Sequence, residues 1–274
     1  MLQDVKVPAP TPFPSPLRGV RAAQAAAACG ALVLALLAPV PARAQSSAAP
    51  TAVAGHSSPL APGLPLTDYQ RGYGTWAHTA TPGVAIRLLP RSDSPRVARL
   101  HALTEDGLPE VYEVLAQTVD AHGNPWVHVM VPMRPNGHTG WVPAKDLGDF
   151  HLVRALLVIN RATRTLTLFQ DGHVALRTRV GVGKPSTPTP GGHFWIREKF
   201  PVSGVPLYGP FAIGTSNYSA VETDWPGGGV IGIHGTNEPS LIPGHPSHGC
   251  IRVPNWEIVK LAPLLPIGTP LTIE

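Results

Sequence analysis

The chain has 274 residues, with 21 Lys or Arg, 17 Asp or Glu, 28 Gly and 33 Pro, and a formal net charge of +4. Hydrophobic residues make up 43% and charged residues 14%, which excludes a wholly disordered chain and disfavours a helical bundle. The basic excess is modest and contains no Lys/Arg run, so we expect no nucleic-acid partner.

The first 44 residues are typical of an export signal. An apolar stretch at 22–40 follows Arg18 and Arg21 and precedes the A-x-A sequence that ends at Ala44. This pattern predicts a secretory signal peptide cleaved after Ala44. The alternative is an uncleaved anchor, because residues 22–40 are just long enough to span a hydrocarbon core of roughly 30 Å. We therefore expect an exported protein of the periplasm or cell wall, which contacts a membrane only if the segment is retained.

Residues 45–74 are rich in Ala, Ser, Pro, Gly and Thr and predict a flexible or extended linker. Of the two cysteines, Cys29 lies in the apolar N-terminal stretch, so a cleaved chain keeps only Cys250. A single cysteine cannot form an internal disulfide, and a lone thiol in an exported protein requires another explanation.

Residues 75–150 carry short strand patterns that suggest a small barrel. The strand candidates are Val84–Leu88, Glu110–Ala116 and Trp126–Val131. The Gly140-Trp141-Val142 ending resembles the bacterial SH3-like domains of cell-wall enzymes. We interpret Trp126 and Trp141 as core residues, with contact to a ligand as the alternative.

From residue 152 to residue 274 the pattern predicts a mainly β domain with one short helix. Asp171-Gly172 is a strong two-residue hairpin signal. Asn255 predicts the cap of a helix whose length Pro263 limits. The predicted strands are Leu156–Asn160, Thr165–Phe169, Val174–Val180, Phe194–Ile196 and Leu271–Ile273.

The stretch 231–255 combines histidines with the cysteine that a cleaved chain retains. Cys250 follows Ser247-His248-Gly249, and His234 lies fourteen positions before His248. A thiol is only a few per cent ionised near neutrality, so a nearby histidine that takes its proton can create a thiolate–imidazolium pair. Gly249 permits a sharp turn that presents N–H groups to an oxyanion. These residue types predict acyl transfer, with His234 or His248 as the base and with no metal or cofactor.

Three alternatives remain open at this point. Cys250 could be a buried structural thiol, which is a common fate of free cysteine. His245, His248 and Cys250, together with His234, could bind zinc, although the H-x-x-H-x-C run fits no usual zinc spacing. His248 could be structural, with its ring oriented by a backbone carbonyl.

The segments H-G-T-N-x-P, beginning at His234, and S-H-G-C-I-R, beginning at Ser247, resemble the signature of L,D-transpeptidases with a YkuD-type catalytic domain. The segments Thr187–Gly192 and Tyr208–Phe211 are similar to other parts of that family. The resemblance covers roughly residues 152–274. It implies a YkuD-type β-rich fold and an enzyme that cross-links peptidoglycan, releasing D-alanine from a tetrapeptide stem and passing the acyl group through a thioester to an amine of another stem.

The resemblance also implies roles for the catalytic residues. Cys250 would be the nucleophile and His234 the base, and the Gly235 carbonyl would orient the imidazole ring. The backbone N–H groups of His248, Gly249 and Cys250 would form the oxyanion hole.

The same resemblance implies that substrate is contacted by Ser247, Tyr208 and Arg252. Arg252 occupies a place where the family often has Asn, and its charged fork suits a substrate carboxylate. A solvated surface role fits Arg252 equally well.

We expect peptidoglycan stem peptides as partners, a monomeric protein, and a role in cell wall biogenesis and cell shape. One alternative is an L,D-carboxypeptidase of the same fold, in which water replaces the acceptor amine. Another is a non-catalytic wall-binding protein, against which the intact histidine and cysteine set argues.

Overall fold

The computed structural model describes residues 66–223 and 228–274. The predicted signal peptide or anchor, Cys29 and most of the predicted linker lie outside the described residues. The described residues belong to one compact unit, and none of their helices is long and apolar enough to cross a membrane.

The first sheet contains seven strands, each paired antiparallel with its neighbours. They are Gly74–Thr79 (β1), Ala85–Arg87 (β2), Arg96–Arg99 (β3), Val111–Val119 (β4), Pro125–Met130 (β5), Thr139–Pro143 (β6) and Leu147–Val153 (β7). Their spatial order is β3-β2-β6-β5-β4-β1-β7. Val127 and Val129 of β5 point into a core that contains Tyr112 of β4. Trp126 is buried, as expected, whereas Trp141 is half-buried and stacks on His128 with ring centroids 4.7 Å apart.

The second sheet contains ten strands, and its first strand follows the last strand of the first sheet along the chain. They are Ala155–Asn160 (β8), Thr165–Gln170 (β9), His173–Arg179 (β10), Gly181–Gly183 (β11), Gly192–Pro201 (β12), Phe211–Tyr218 (β13), Val230–His234 (β14), Gly244–Ser247 (β15), Ile251–Arg252 (β16) and Pro270–Ile273 (β17). Their order is β10-β9-β8-β17-β12-β13-β14-β16-β11-β15. Most neighbours are antiparallel, but β8–β17, β14–β16 and β11–β15 are parallel pairs.

Two local predictions can be compared directly with the structure. The Asp171-Gly172 hairpin is confirmed, because both residues have positive φ (48° and 79°) and join the antiparallel pair β9–β10. The helix is confirmed at Asn255–Leu264 (α1), but the prediction that Asn255 caps it is wrong. Pro254 occupies the capping position, and the Asn255 side chain instead accepts a hydrogen bond from the Thr236 N–H at 2.8 Å.

A continuous apolar core holds the middle of the second sheet in place. Ile231 and Ile233 of β14 and Ile251 of β16 are at most 2% exposed and pack in one cluster with Ile258 and Leu261 of α1. The alternate residues of β14 and β16 therefore lie on the opposite face of the sheet. This alternation leaves Gly232, His234 and Arg252 together on one face.

The two sheets meet along β12, which is buried on both of its faces. Phe194 and Ile196 point into the core of the second sheet, whereas Trp195 packs with Val111 and Met130 of the first. The Trp195 indole N–H donates to the Val111 carbonyl at 2.9 Å, so its polar edge is satisfied inside the junction.

Arg197, on the same face of β12, brings a positive charge into this junction. It is 2% exposed and forms a two-pronged contact with the fully buried Glu110 of the first sheet. It also pairs with Glu105 at 3.0 Å and donates to the Tyr218 hydroxyl at 3.2 Å. Removal of Arg197 would leave the fully buried Glu110 carboxylate uncompensated, which typically costs about 3–5 kcal/mol.

Glu198 is the next residue of β12 and is 3% exposed. The Thr104 hydroxyl donates to its carboxylate at 2.5 Å, and Asp106 is also hydrogen-bonded to it. Burial raises the pKa of Glu198 to about 7; the Thr104 hydrogen bond opposes this rise and the negative charge of Asp106 reinforces it.

We expect Glu198→Gln to make the stability of the protein less dependent on pH. A carboxyl group whose pKa rises on folding stabilises the fold when protonated, so the wild type loses this contribution as the pH rises from about 4.5 to about 7. The amide does not titrate, and the difference across this window should be on the order of 1–3 kcal/mol. Urea unfolding at both ends of the window measures it, with the exposed Asp149→Asn as control. Identical pH profiles for the Glu198→Gln variant and the wild type would contradict the expectation.

Candidate active site

The parallel pairing of β14 with β16 brings the predicted cysteine and histidine to one face. Ile233 is paired with Ile251 and His234 with Arg252, so Cys250, the residue before β16, lies beside Gly232. The Gly232 N–H contacts the Cys250 sulfur at 3.4 Å. With strands about 4.8 Å apart and a rise of about 3.3 Å per residue, His234 and Cys250 are diagonal neighbours roughly 8 Å apart at the backbone. Their side chains project from the same face and can meet across this diagonal.

His234 is 4% exposed, and one of its ring nitrogens is already engaged. Nδ1 lies 2.6 Å from the Gly235 carbonyl oxygen, and because a carbonyl can only accept, Nδ1 carries the proton. In the neutral ring, Nε2 then holds the lone pair and can accept a proton. The Tyr208 ring packs edge-on against the imidazole at 4.8 Å and helps to fix its plane.

The electrostatics of the pair differ from the predicted thiolate–imidazolium state. Burial is the main cause that lowers the pKa of His234 to about 4; the Gly235 hydrogen bond opposes this change and the positive charge of Arg252 contributes to it. Burial also raises the pKa of the half-buried Cys250 thiol, opposed by the Gly232 N–H and by Arg252. Desolvation favours the neutral form of both groups. The resting site at neutral pH is therefore a thiol beside a neutral imidazole that is ready to accept its proton.

Ser247 holds the loop that precedes the cysteine. Its hydroxyl oxygen accepts the Gly249 N–H at 3.1 Å and donates to the Cys250 carbonyl at 2.5 Å, and the residue is 2% exposed. The sequence predicts Ser247 as a substrate contact and the Gly249 N–H as an oxyanion donor, whereas the structure uses both groups inside the loop. Gly249 itself has φ = 131°, and a Cβ there would lie 2.7 Å from Ile231, so glycine is required.

The other side of the Gly249 peptide is held by Thr189, a residue with no assigned role in the sequence interpretation. The Thr189 hydroxyl donates to the Gly249 carbonyl at 2.6 Å and accepts the Gly183 N–H at 2.9 Å. Thr189 is 1% exposed and belongs to the predicted family segment Thr187–Gly192. The sequence pattern marks this segment, but the contact spans sixty positions and depends on the fold.

Arg252 lies directly opposite His234 and is paired with an acidic side chain. Its Nη1 donates to Glu238 at 2.9 Å, and Arg252 is 9% exposed whereas the Glu238 side chain is 49% exposed. The Arg252 Nε is buried and lacks a hydrogen-bond partner among the residues that the structure describes. The structure therefore excludes a solvated surface role for Arg252 and places its charge within the site.

Close backbone contacts explain the glycines around Tyr208 and His234. A Cβ on Gly235 would lie 2.3 Å from Asn255 Oδ1, and one on Gly209 would lie 2.2 Å from the same atom. Asn255 is therefore a support of the His234 loop, in addition to opening α1. Sequence reasoning assigned it only to the helix, because nothing in the local pattern shows that the loop returns to it.

The two remaining histidines of the stretch are more exposed than His234. His248 is exposed, and His245 is an exposed residue whose Nδ1 lies 3.0 Å from the Gly183 carbonyl oxygen. Across residues 66–223 and 228–274, no group of three or more His, Cys, Asp or Glu side chains could hold a metal ion. The geometry thus supports a cysteine–histidine centre on the β14–β16 face.

Comparison with known protein families places most of the second sheet in one family. The family described as the L,D-transpeptidase catalytic domain, YkuD, matches residues 154–273. The chain is 32% identical over 128 residues to YkuD of Bacillus subtilis strain 168, which is named as an L,D-transpeptidase, covering 47% of this chain and 71% of the relative. It is 36% identical over 110 residues to YkuD of Bacillus licheniformis, covering 40% of this chain and 59% of that relative.

A solved structure is also similar to part of the chain. The NMR structure of the catalytic domain from the E. faecium L,D-transpeptidase is 26% identical, covers 44% of this chain and 96% of that chain, and has a TM-score of 0.33. The matched family range contains both members of the cysteine–histidine centre.

Proposed function

Because this chain belongs to the L,D-transpeptidase family, we propose that it is an exported cysteine acyltransferase that cross-links peptidoglycan stem peptides through a thioester on Cys250. The observation that carries the proposal is the shared face of β14 and β16, from which the Cys250 thiol and the His234 imidazole both project. In this proposal the acyl donor is a tetrapeptide stem and the acyl acceptor is an amine of a second stem.

Acylation would begin when the Cys250 sulfur attacks the carbonyl carbon of the third, L-configured stem residue. Nε2 of His234 accepts the thiol proton, so the sulfur becomes nucleophilic only as the new bond forms. The resulting oxyanion collapses, the bond to the terminal D-alanine breaks, and the imidazolium gives its proton to the departing amine. Free D-alanine and a neutral thioester are the products.

Resolution of the thioester would reverse these roles. A side-chain amine of another stem attacks the thioester carbonyl, His234 takes a proton from that amine, and the sulfur departs and regains the proton. Arg252, directly opposite His234, supplies positive charge for a carboxylate of the stem. Tyr208 bounds the site on the imidazole side, where we propose that it contacts the stem peptide.

The proposal assigns the oxyanion to backbone N–H groups of the Ser247–Cys250 loop. The Gly249 N–H is bound to Ser247, so we assign the principal donation to the Cys250 N–H, with His248 contributing through its backbone.

Incubation of the purified protein with a defined disaccharide tetrapeptide, followed by mass spectrometry of the products, tests this function. The expected product is a cross-linked dimer that has lost one D-alanine. Tripeptide without dimer would indicate the L,D-carboxypeptidase alternative, in which water resolves the thioester. Absence of both products, together with no acyl adduct on Cys250 from a carbapenem β-lactam, would indicate a non-catalytic wall-binding protein.

Chelation should leave this activity unchanged, because the thiol, the imidazole and the backbone N–H groups supply the required chemistry. Dimer formation measured with and without EDTA provides the comparison. Activity that disappears with EDTA and returns with zinc would instead favour the H-x-x-H-x-C metal site.

We also propose that the seven-stranded unit is a bacterial SH3-like module and that the N-terminal segment directs export. The Gly140-Trp141-Val142 ending of β6 supports the first assignment, and the apolar stretch at 22–40 before an A-x-A sequence supports the second. N-terminal sequencing of the protein from the envelope fraction would distinguish cleavage after Ala44 from retention as an anchor.

A further inference from the structure

We propose that Thr189 is a positioning residue of the acyl-transfer centre, whose hydroxyl sets the direction in which the Cys250 N–H points. The inference rests on the proposed function and adds to it a residue outside the cysteine–histidine stretch. Three observations carry it: the hydrogen bonds of the Thr189 hydroxyl, the planarity of the peptide that it contacts, and the fit of its segment against Gly183.

The Thr189 hydroxyl acts both as a hydrogen-bond donor and as an acceptor, and it is buried. It donates to the Gly249 carbonyl at 2.6 Å and accepts the Gly183 N–H at 2.9 Å, in a residue that is 1% exposed. The Gly183 N–H is a donor, so the hydroxyl can only accept from it. The single hydroxyl proton is therefore donated to the Gly249 carbonyl. The Gly249 carbonyl therefore has a fixed donor at a fixed place.

The Gly249 carbonyl and the Cys250 N–H belong to the same peptide unit. In a trans peptide these two groups point in opposite directions within one plane. A bond that holds the carbonyl towards Thr189 therefore turns the Cys250 N–H away from Thr189. Gly249 has no side chain to restrict this plane, so an external hydrogen bond has the most influence here.

Ser247 completes the restraint from the preceding peptide. It fixes the Gly249 N–H at 3.1 Å, so the peptides on both sides of Gly249 are each held by one buried hydroxyl. Thr189 is itself held, because Gly183 leaves no room for a Cβ: such an atom would lie 2.3 Å from the Thr187 carbonyl and 2.6 Å from the Thr189 nitrogen. The support is rigid from β11 to the cysteine.

Thr189→Val removes the hydroxyl at nearly constant volume and should slow acylation of Cys250 by a carbapenem β-lactam. Complete loss of one oxyanion donor costs on the order of 10²–10³ in rate, so misalignment of a donor should cost about 10–100-fold. The variant should have a lower maximal rate of acylation at saturating carbapenem, whereas the carbapenem concentration that gives half of the maximal rate should change little. Alkylation of Cys250 by iodoacetamide passes through no oxyanion, so its rate should fall far less than the rate of acylation.

Thr187→Val is the matched control. The Thr187 hydroxyl belongs to the same segment and is also buried, but it has no hydrogen-bond partner within the described part of the chain. This variant should acylate like the wild type, and Thr189→Ser, which keeps the hydroxyl, should restore most of the rate. Melting temperatures of all three variants identify any general loss of folding.

Three results would overturn the inference: equal acylation by the Thr189→Val and Thr187→Val variants, a parallel loss of alkylation and acylation, or a Thr189→Ser variant as slow as Thr189→Val. The amide resonance of Cys250 provides a test that needs no substrate. It should shift in the Thr189→Val variant and stay in place in the Thr187→Val variant. An unchanged resonance would overturn the inference even if the protein proved to act on another substrate, whereas failure of wild-type cross-linking alone would overturn only the proposed function.

Discussion

Replacement of Cys250 by alanine should abolish both the acyl adduct and the cross-linked dimer while the fold remains intact. The side chain is half-buried and accepts a long hydrogen bond from the Gly232 N–H at 3.4 Å, so its truncation removes little packing. Loss of a covalent nucleophile typically lowers turnover by on the order of 10⁴–10⁶. Mass spectrometry of the tetrapeptide reaction measures the loss, and near-UV circular dichroism verifies the fold.

Cys250→Ser is the companion variant, because it keeps the size and a weak acceptor at the same position. A hydroxyl is a far weaker nucleophile than a thiol, and His234, with its pKa lowered to about 4, is too weak a base to compensate. This variant should therefore be nearly as inactive as the alanine variant. Normal turnover by Cys250→Ala would show that the nucleophile lies elsewhere and would remove the basis of the proposed function.

Replacement of His234 by alanine should lower the rate of acylation by on the order of 10²–10⁴ and change its pH dependence. With the pKa of His234 lowered to about 4 and that of Cys250 raised, the wild type keeps its base neutral and its thiol protonated across the neutral range. Its acylation rate should therefore vary little between about pH 5 and pH 8. Without the base, reaction depends on the small thiolate fraction, and the rate should rise about tenfold for each pH unit in that range.

His248→Ala serves as the control for this prediction. His248 lies two positions from the cysteine but is exposed, whereas His234 is enclosed and oriented by the Gly235 carbonyl. The His248→Ala variant should keep the flat profile of the wild type. If the steep profile developed in this variant instead, His248 would be the base and the assignment to His234 would be wrong.

The sequence predicts the turns and strands whose conformation depends on neighbouring residues in the chain. The Asp171-Gly172 turn adopts positive φ at both residues. The strand at 155–160 follows its short apolar run, and the strand at 165–170 follows its alternation of Thr with Leu or Phe. The strands β14 and β16 were missed because they are short and contain glycine, histidine and arginine. Their pairing in the sheet, rather than their intrinsic propensity, makes them strands.

In the candidate site, too, the sequence predicts some residues, whereas others become evident only from contacts between distant parts of the chain. A cysteine close to glycine and histidine is a chemical pattern that indicates Cys250 without coordinates, and the family resemblance adds His234 as its base. The roles of Thr189 and Asn255 depend on contacts that join residues 60 and 19 positions apart, and no local pattern encodes them. The protonation state was also missed, because an ion pair is the ordinary expectation for cysteine beside histidine, whereas burial of both groups favours the neutral pair.

The double burial of β12 bears on how this protein can be divided or recombined. The family range starts at residue 154, yet Trp195 and Arg197, well inside it, have their partners in the preceding sheet. A catalytic fragment cut at that border would turn an indole and a guanidinium into solvent-facing groups on a hydrophobic strand, and aggregation would be the foreseeable cost. An N-terminal module taken from a relative would have to supply equivalents of Glu110 and Val111, because these are the partners of Arg197 and Trp195. For protein engineering, the border that matters is the surface where these side chains interlock, not the position in the chain where one sheet ends.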